Sequence, residues 1–223
     1  MKVKNYSLFT VHCLLSVVYY ILSTVFIPLI LSAETLEDII NKVQENYENT
    51  TDLEANFTQE SLIKTMDKIE KSEGKVYIKR PGKMRWDYKK PKRQEIVIDD
   101  GIIWMYQPEQ KQVLKAPFSE SPQNRTPVSF LYGVGRLKDD FEIKLSRGSK
   151  NYILGLTPKG MKGNIEKIFL EVDSKEFNII SFSLFDIYGN KTTITFKDIK
   201  VNKGLKDSIF HFKVPEGVRV IEQ

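Results

Sequence analysis

Between Gly74 and Val113 apolar and polar side chains alternate with a period of two, and this pattern narrows the possible folds more than any other in the chain. Val76 and Ile78 alternate with Lys75, Tyr77 and Lys79. Met84, Trp86 and Tyr88 alternate with Arg85, Asp87 and Lys89. Such a period sends successive side chains to opposite faces and belongs to half-buried antiparallel strands, here broken by an Arg80-Pro81-Gly82 turn. The run continues as QEIVIDDGIIWMYQPEQKQV. Large aromatic and thioether groups on one face of a curved sheet suit an adaptable apolar binding surface. Arg80 falls at the rim of that surface, where five N–H donors could reach carbonyls on a facing element. The same residues would also serve as a sandwich strand pair with ordinary core aromatics and a solvated arginine.

Elsewhere the chain is densely punctuated, at Gly74, Pro81-Gly82, Asp100-Gly101, Gly148-Ser149, Asp173-Ser174, Gly189-Asn190 and Pro215 to Gly217. Short alternating runs lie between these marks: Phe141 to Leu145, Tyr152 to Leu156, Ile165 to Val172, Ile179 to Tyr188 and Thr192 to Val201. Roughly ten or eleven strands at such spacing predict one antiparallel sheet or barrel rather than several domains. Two helices are expected. Leu36, Ile39, Ile40, Val43 and Tyr47 recur at helical spacing, with Thr35 as N-cap and Asp38 three residues on. Thr126-Pro127 followed by Gly133 spells a short helix with Phe130 and Leu131 as its apolar contacts. Two turns cannot stand alone, so that helix should cover the open apolar face of the sheet.

The first thirty-odd residues read as a leader. Lys2 and Lys4 precede an apolar run from Leu8 to Leu31, and Leu31-Ser32-Ala33 resembles a cleavage site. The expected organisation is a signal peptide over 1–33 and a single domain over 34–223. An uncleaved anchor is the competing reading, since the run is long enough to span a bilayer. The one cysteine, Cys13, and His12 lie inside the leader, so disulfide, zinc and thiol chemistry leave with it. Losing Lys2 and Lys4 takes the net charge from +5 to +3, too small an excess to name a partner.

Catalytic signals are weak. His211, the only histidine after the leader, sits in the alternating run Ile209-Phe210-His211-Phe212 without an acidic residue two positions away, and reads as a structural strand histidine. No G-x-S-x-G elbow, phosphate loop or dinucleotide fingerprint is present. Asp99-Asp100-Gly101 reads as a hairpin turn rather than a carboxylate pair. The KKPKR run near Trp86 and Tyr88 could suggest nucleic acid, but in an exported chain it is better read as a solvated, proline-broken loop. No enzyme, cofactor, metal or nucleic-acid reading follows.

Four segments stand in a telling order: LEANFTQ (Leu53 to Gln59), the RPGKMRW strand block, NRTPVSFLYG (Asn124 to Gly133) and FHFKVPEGVRVI (Phe210 to Ile221). Together they resemble the LolA-type outer-membrane lipoprotein carriers over nearly the whole chain after the leader. The resemblance implies a mainly β fold, an incomplete, half-open antiparallel β-barrel with an α-helical lid. It implies a monomeric periplasmic carrier that takes triacylated lipoproteins from an inner-membrane ABC-type releasing complex and passes them to an outer-membrane acceptor. It also implies that Arg80 bonds lid carbonyls when the cavity is closed, with Phe130 and Leu131 on the matching lid segment. By parity, Phe57, Met84, Trp86, Val97, Trp104 and Tyr106 are the expected acyl-chain cavity wall. The family often has a second aromatic where Met84 stands. The alternative is a carrier or sensor of free lipid or glycolipid on the same half-barrel. Such sensors generally carry a second domain, and the chain's end soon after Pro215 to Val218 weighs against one.

Overall fold

The computed structural model describes residues 34–118, 136–148, 150–159 and 164–222. By its contacts the chain separates into Met1–Glu34 and Thr35–Gln223, and the second unit carries the sheet. Its strands are β1 (Asp52–Ile63), β2 (Lys68–Lys79), β3 (Lys83–Lys90), β4 (Gln94–Asp99), β5 (Ile102–Gln107) and β6 (Gln112–Pro117), then β7 (Phe141–Arg147), β8 (Tyr152–Pro158), β9 (Ile165–Val172), β10 (Ile179–Asp186), β11 (Lys191–Val201) and β12 (Arg219–Glu222). The spatial order is β12-β6-β5-β4-β3-β2-β1-β11-β10-β9-β8-β7. Neighbours pair antiparallel except β12, which runs parallel to β6. With β12 and β7 at opposite edges the sheet does not close.

Turn chemistry sets much of the register. Asp100 and Gly101 join β4 to β5 with φ of 47° and 72°, the double left-handed geometry that a two-residue hairpin needs on right-twisted strands. Asp99 therefore faces Ile102, and Val97 faces Trp104.

The expected first helix is α1 (Leu36–Glu48), whose apolar face consists of Ile39, Ile40, Val43 and Tyr47. The Asp38 N–H donates to Thr35 Oγ1 at 3.1 Å, and the Thr35 N–H donates to the Asp38 carboxylate at 3.1 Å. This reciprocal cap contributes about 1 kcal/mol. At the other end the Ile179 N–H donates to the Tyr47 hydroxyl at 2.9 Å, tying α1 to the start of β10. A single turn, α2 (Leu137–Asp140), buries Leu137, and Lys138 reaches Glu37 and Asn41 on α1.

Two expectations need correction. Asp207–Ile209 is a 3-10 turn and residues 211–215 are not strand, so His211 is not a strand histidine. The Ile209 and Phe210 N–H groups close turns onto the Lys206 and Asp207 carbonyls instead of entering a ladder. Strands number twelve among the described residues, because Arg219–Glu222 adds one at the edge. The cover helix expected at Thr126–Gly133, with Phe130 and Leu131, lies outside the described residues, as does the leader.

Candidate functional site

Pairing register divides the sheet's side chains into two faces. On the inner face Phe57 stands opposite Gly74, Val76 opposite Trp86, Ile78 opposite Met84, and Met84 opposite Ile98. These join the buried face of α1 in one apolar cluster, which continues through Phe182, Ile194 and Phe196. Phe57 packs edge-on to Trp86 with centroids 4.7 Å apart, and Trp86 lies 6.2 Å from Phe196. Of the six expected wall residues, Phe57, Met84 and Trp86 share this face and are almost wholly buried.

Val97, Trp104 and Tyr106 do not share it, which corrects their expected inward direction. Val97 is opposite Arg85, and Trp104 is opposite Val97. Arg85 faces outward, so the whole set does too. There Phe212 packs on Trp104 at 5.5 Å and on Tyr106 at 5.9 Å. Val97 and Val113, and Phe210 of the C-terminal segment, are fully buried yet lie outside the inner cluster.

That segment is bolted down by polar groups. Arg85 donates to Asp87 at 2.7 Å, to Glu95 at 2.8 Å and to the Ile209 carbonyl at 3.2 Å. Asp207 binds both Lys79 and Lys83, and these two lysines hold its carboxyl below the usual range. The buried Asp52 accepts the Lys203 and Gly204 N–H groups at 2.8 and 2.9 Å. His211 Nδ1 lies 2.6 Å from Asp99 Oδ2, an acidic partner that sequence neighbours could not reveal.

The inner face contains residues that parity missed. Ile96, Ile98, Ile103 and Met105 are its members on β4 and β5. Tyr88 belongs too: its ring lies 4.9 Å from Phe57 and its hydroxyl donates to Gln59 Oε1 at 3.0 Å. Burial pushes this phenol up to about 12. Beyond Tyr88 and Gln59 a groove of about 830 Å³ opens between Lys68–Ser72 on β2 and Pro91-Lys92 after β3.

Arg80 follows β2 at the turn. Its N–H donates to the Thr51 carbonyl at 2.9 Å, and its guanidinium lies 5.9 Å from the centre of the Tyr47 ring. The last turn of α1 has no basic residue of its own, so Arg80 supplies the cation that a helix C-terminus favours. Burial draws the guanidinium below its ordinary value, and the Glu48 carboxylate opposes that shift.

An apolar inner face under an amphipathic helix, with an arginine at its rim, is the architecture of a binding protein. The family profile described as "Outer membrane lipoprotein carrier protein LolA" matches residues 48–213. The chain belongs to this family. An "Outer-membrane lipoprotein carrier protein" of Methylococcus capsulatus is 33% identical over 172 residues, covering 76% of this chain and 81% of that one. One from Legionella pneumophila strain Corby is 31% identical, covering 86% and 90% respectively. Among solved structures, an uncharacterized conserved protein from Thermus thermophilus superposes with a TM-score of 0.56 at 15% identity, covering 85% of this chain and all of that one; this supports the fold alone. As a LolA-family member the chain is a lipoprotein carrier and not an enzyme. The matched region holds the inner wall from Phe57 to Met105, Arg80, and the bolted segment as far as Lys213.

Proposed function

We propose that residues 1–33 direct export and are removed near Ala33, leaving a single-domain, monomeric periplasmic carrier over 34–223. It takes triacylated lipoproteins from an inner-membrane ABC-type releasing complex and delivers them to an outer-membrane acceptor. The observation that carries this reading is the apolar inner face from Phe57 through Trp86 to Ile98 and Ile103, joined in one cluster with the buried side of α1. Each buried methylene contributes about 0.8 kcal/mol, so acyl chains crossing water need such a face. Phe57, Met84 and Trp86 form its deepest part, with Tyr88, Ile96, Ile98, Ile103 and Met105 extending it.

Release without nucleotide hydrolysis requires an alternative partner for the emptied face. The buried side of α1 is that partner, and binding becomes a shift between two states. Arg80 acts as the latch of the covered state. Arg80→Leu should weaken that state and trap cargo, impairing hand-off more than loading. Equal transfer of bound lipoprotein to the acceptor by variant and wild type would refute the latch.

The direct test mixes the exported, processed protein with spheroplasts and identifies what enters solution. Triacylated lipoproteins support the proposal. Free lipid or glycolipid alone would favour a free-lipid carrier, and release of nothing would overturn both.

A further inference from the structure

Seven large apolar side chains are substantially exposed among the described residues, and four of them gather at one end of the sheet. Met66 is 68% exposed, Ile69 59%, Ile187 55% and Tyr188 64%. They occupy two neighbouring turns, β1–β2 and β10–β11. The Lys64 N–H donates to Asn190 Oδ1 at 2.9 Å, which joins the turns.

The geometry of the second turn is built rather than loose. The Asp186 carboxylate accepts the Tyr188 and Asn190 N–H groups, each at 2.9 Å, and the Asn190 side-chain amide at 2.7 Å. Gly189 takes the left-handed bend with φ of 81°. This scaffold holds Ile187 and Tyr188 outward, where neither contributes to the core. Below the turns, one cross-strand row on the outer face reads Ile69, Leu62, Lys191, Phe185, Lys167 over β2, β1, β11, β10 and β9. Lys167 and Lys191 both lie over the Phe185 ring, at 5.0 and 5.4 Å, and Phe169 packs edge-on to that ring at 5.7 Å.

Cations surround the apolar tip. Lys64 and Lys68 flank Met66, while Lys71 and Lys92 line the groove beside Ile69. Some are locally balanced, Lys68 by Glu70 and Lys71 by Glu60. Aliphatic and aromatic tips ringed by long basic stems suit the boundary of a bilayer, where apolar ends enter the acyl layer and ammonium groups reach lipid phosphates.

We propose that the β1–β2 and β10–β11 turns dock this protein on membranes with anionic headgroups, Met66, Ile69, Ile187 and Tyr188 entering the interface and the lysines meeting phosphate. The contact is peripheral and reversible, because a few side chains with a basic rim give far less than a spanning segment. It is independent of what the inner face carries.

Vesicle flotation tests it, using the processed protein with its N-terminus verified by mass. Wild type should bind phosphatidylethanolamine–phosphatidylglycerol vesicles, bind phosphatidylcholine vesicles weakly, and release from the former as salt rises. Met66→Ser with Ile69→Ser should lower partitioning about tenfold. Lys64→Glu with Lys92→Glu should lower it at least about fivefold per residue. Both pairs lie at exposed positions and should leave the thermal midpoint unchanged. Failure of wild type to bind, or binding indifferent to headgroup charge or to both pairs, overturns the proposal. Sedimentation that shows the wild type self-associating through these turns, with monomeric variants, overturns it in favour of a second copy as partner. Loss of vesicle binding with normal lipoprotein release from spheroplasts would separate this surface from the cargo site.

Discussion

Replacing Gly74 by alanine should destabilise the fold by about 2–4 kcal/mol, although it adds a single methyl group. Gly74 sits on the inner face of β2, opposite Phe57 on β1 and Tyr88 on β3, where the β2–β3 register shifts. A Cβ there would lie 2.1 Å from the Asp87 carbonyl oxygen and 2.9 Å from Phe57 Cε1. Ordinary non-bonded separations are about 3.5 Å, so β3 must retreat by more than about 1 Å. That movement loses one or two ladder bonds at about 1 kcal/mol each, and crowding adds about 1–3 kcal/mol. The reduced freedom of the unfolded chain offsets about 0.4–1 kcal/mol. In a unit of this size the thermal midpoint should fall by about 5–15 °C. Urea unfolding followed by far-UV circular dichroism measures it, with Trp86 fluorescence as a local reporter. Adding Phe57→Leu should rescue little, because the tighter clash is with backbone. A Gly74→Ala midpoint within about 2 °C of wild type, or full rescue by Phe57→Leu, would refute the argument.

Three further outcomes follow from the two faces. With Trp104→Phe leaving only Trp86, brominated acyl chains should quench the fluorescence, whereas Trp86→Phe leaving only Trp104 should stay bright; quenching of Trp104 would return it to the cavity wall. Asp52→Asn removes one acceptor from the paired Lys203 and Gly204 N–H groups and should cost about 1–3 kcal/mol in urea unfolding, with an unchanged midpoint counting against that role. Asp207 has its pKa lowered in the fold by Lys79 and Lys83. Its stabilisation is therefore complete above the ordinary carboxylate range and lost as pH falls through the lowered value. Protection of residues 202–213 against hydrogen exchange, corrected for the intrinsic rate at each pH, should fall at acidic pH in wild type, and that step should be absent in Asp207→Asn.

Much of the fold was legible because its signals are local. The Thr35–Asp38 cap, the 3.6 period of Ile39 to Tyr47 and the Asp100-Gly101 turn each act within a few residues, and helix and hairpin stand where those signals place them. Site parity was less legible, for an identifiable reason. Val97, Trp104 and Tyr106 were grouped correctly with one another, because a two-residue turn couples β4 to β5. What could not be read was their side relative to Met84 and Trp86. The β3–β4 connection runs through Pro91, Lys92 and Arg93, and an irregular, proline-containing loop transmits no parity. The outer aromatics misled as well, since Phe212 covers them from more than a hundred residues away. His211 and Asp99 meet by the same long-range route.

Covering both faces of β2 to β6 has a mechanical consequence for the proposed carrier. The outer core of Val97, Val113 and Phe210, with the bonds from Arg85, Asp52 and Asp207, holds this half of the sheet without help from α1. The inner face can therefore exchange one apolar cover for another while the strands stay registered. Lifting α1 would uncover Ile39, Ile40, Val43 and Tyr47, at about 1.5–3 kcal/mol each, or about 6–12 kcal/mol together. An acyl chain of about fifteen methylenes, at about 0.8 kcal/mol each, offers about 12 kcal/mol in return. The α1 cover is thus of similar worth to one chain of the proposed triacylated cargo, so burying a single chain against this face could be tipped either way by small differences at the proposed donor and acceptor. In the proposed cycle Arg80, beside Tyr47 near the α1 C-terminus, would favour the covered state and lose that contact once the helix moved. A much larger buried face on α1 would exclude cargo, and a much smaller one would leave an exposed groove prone to aggregation.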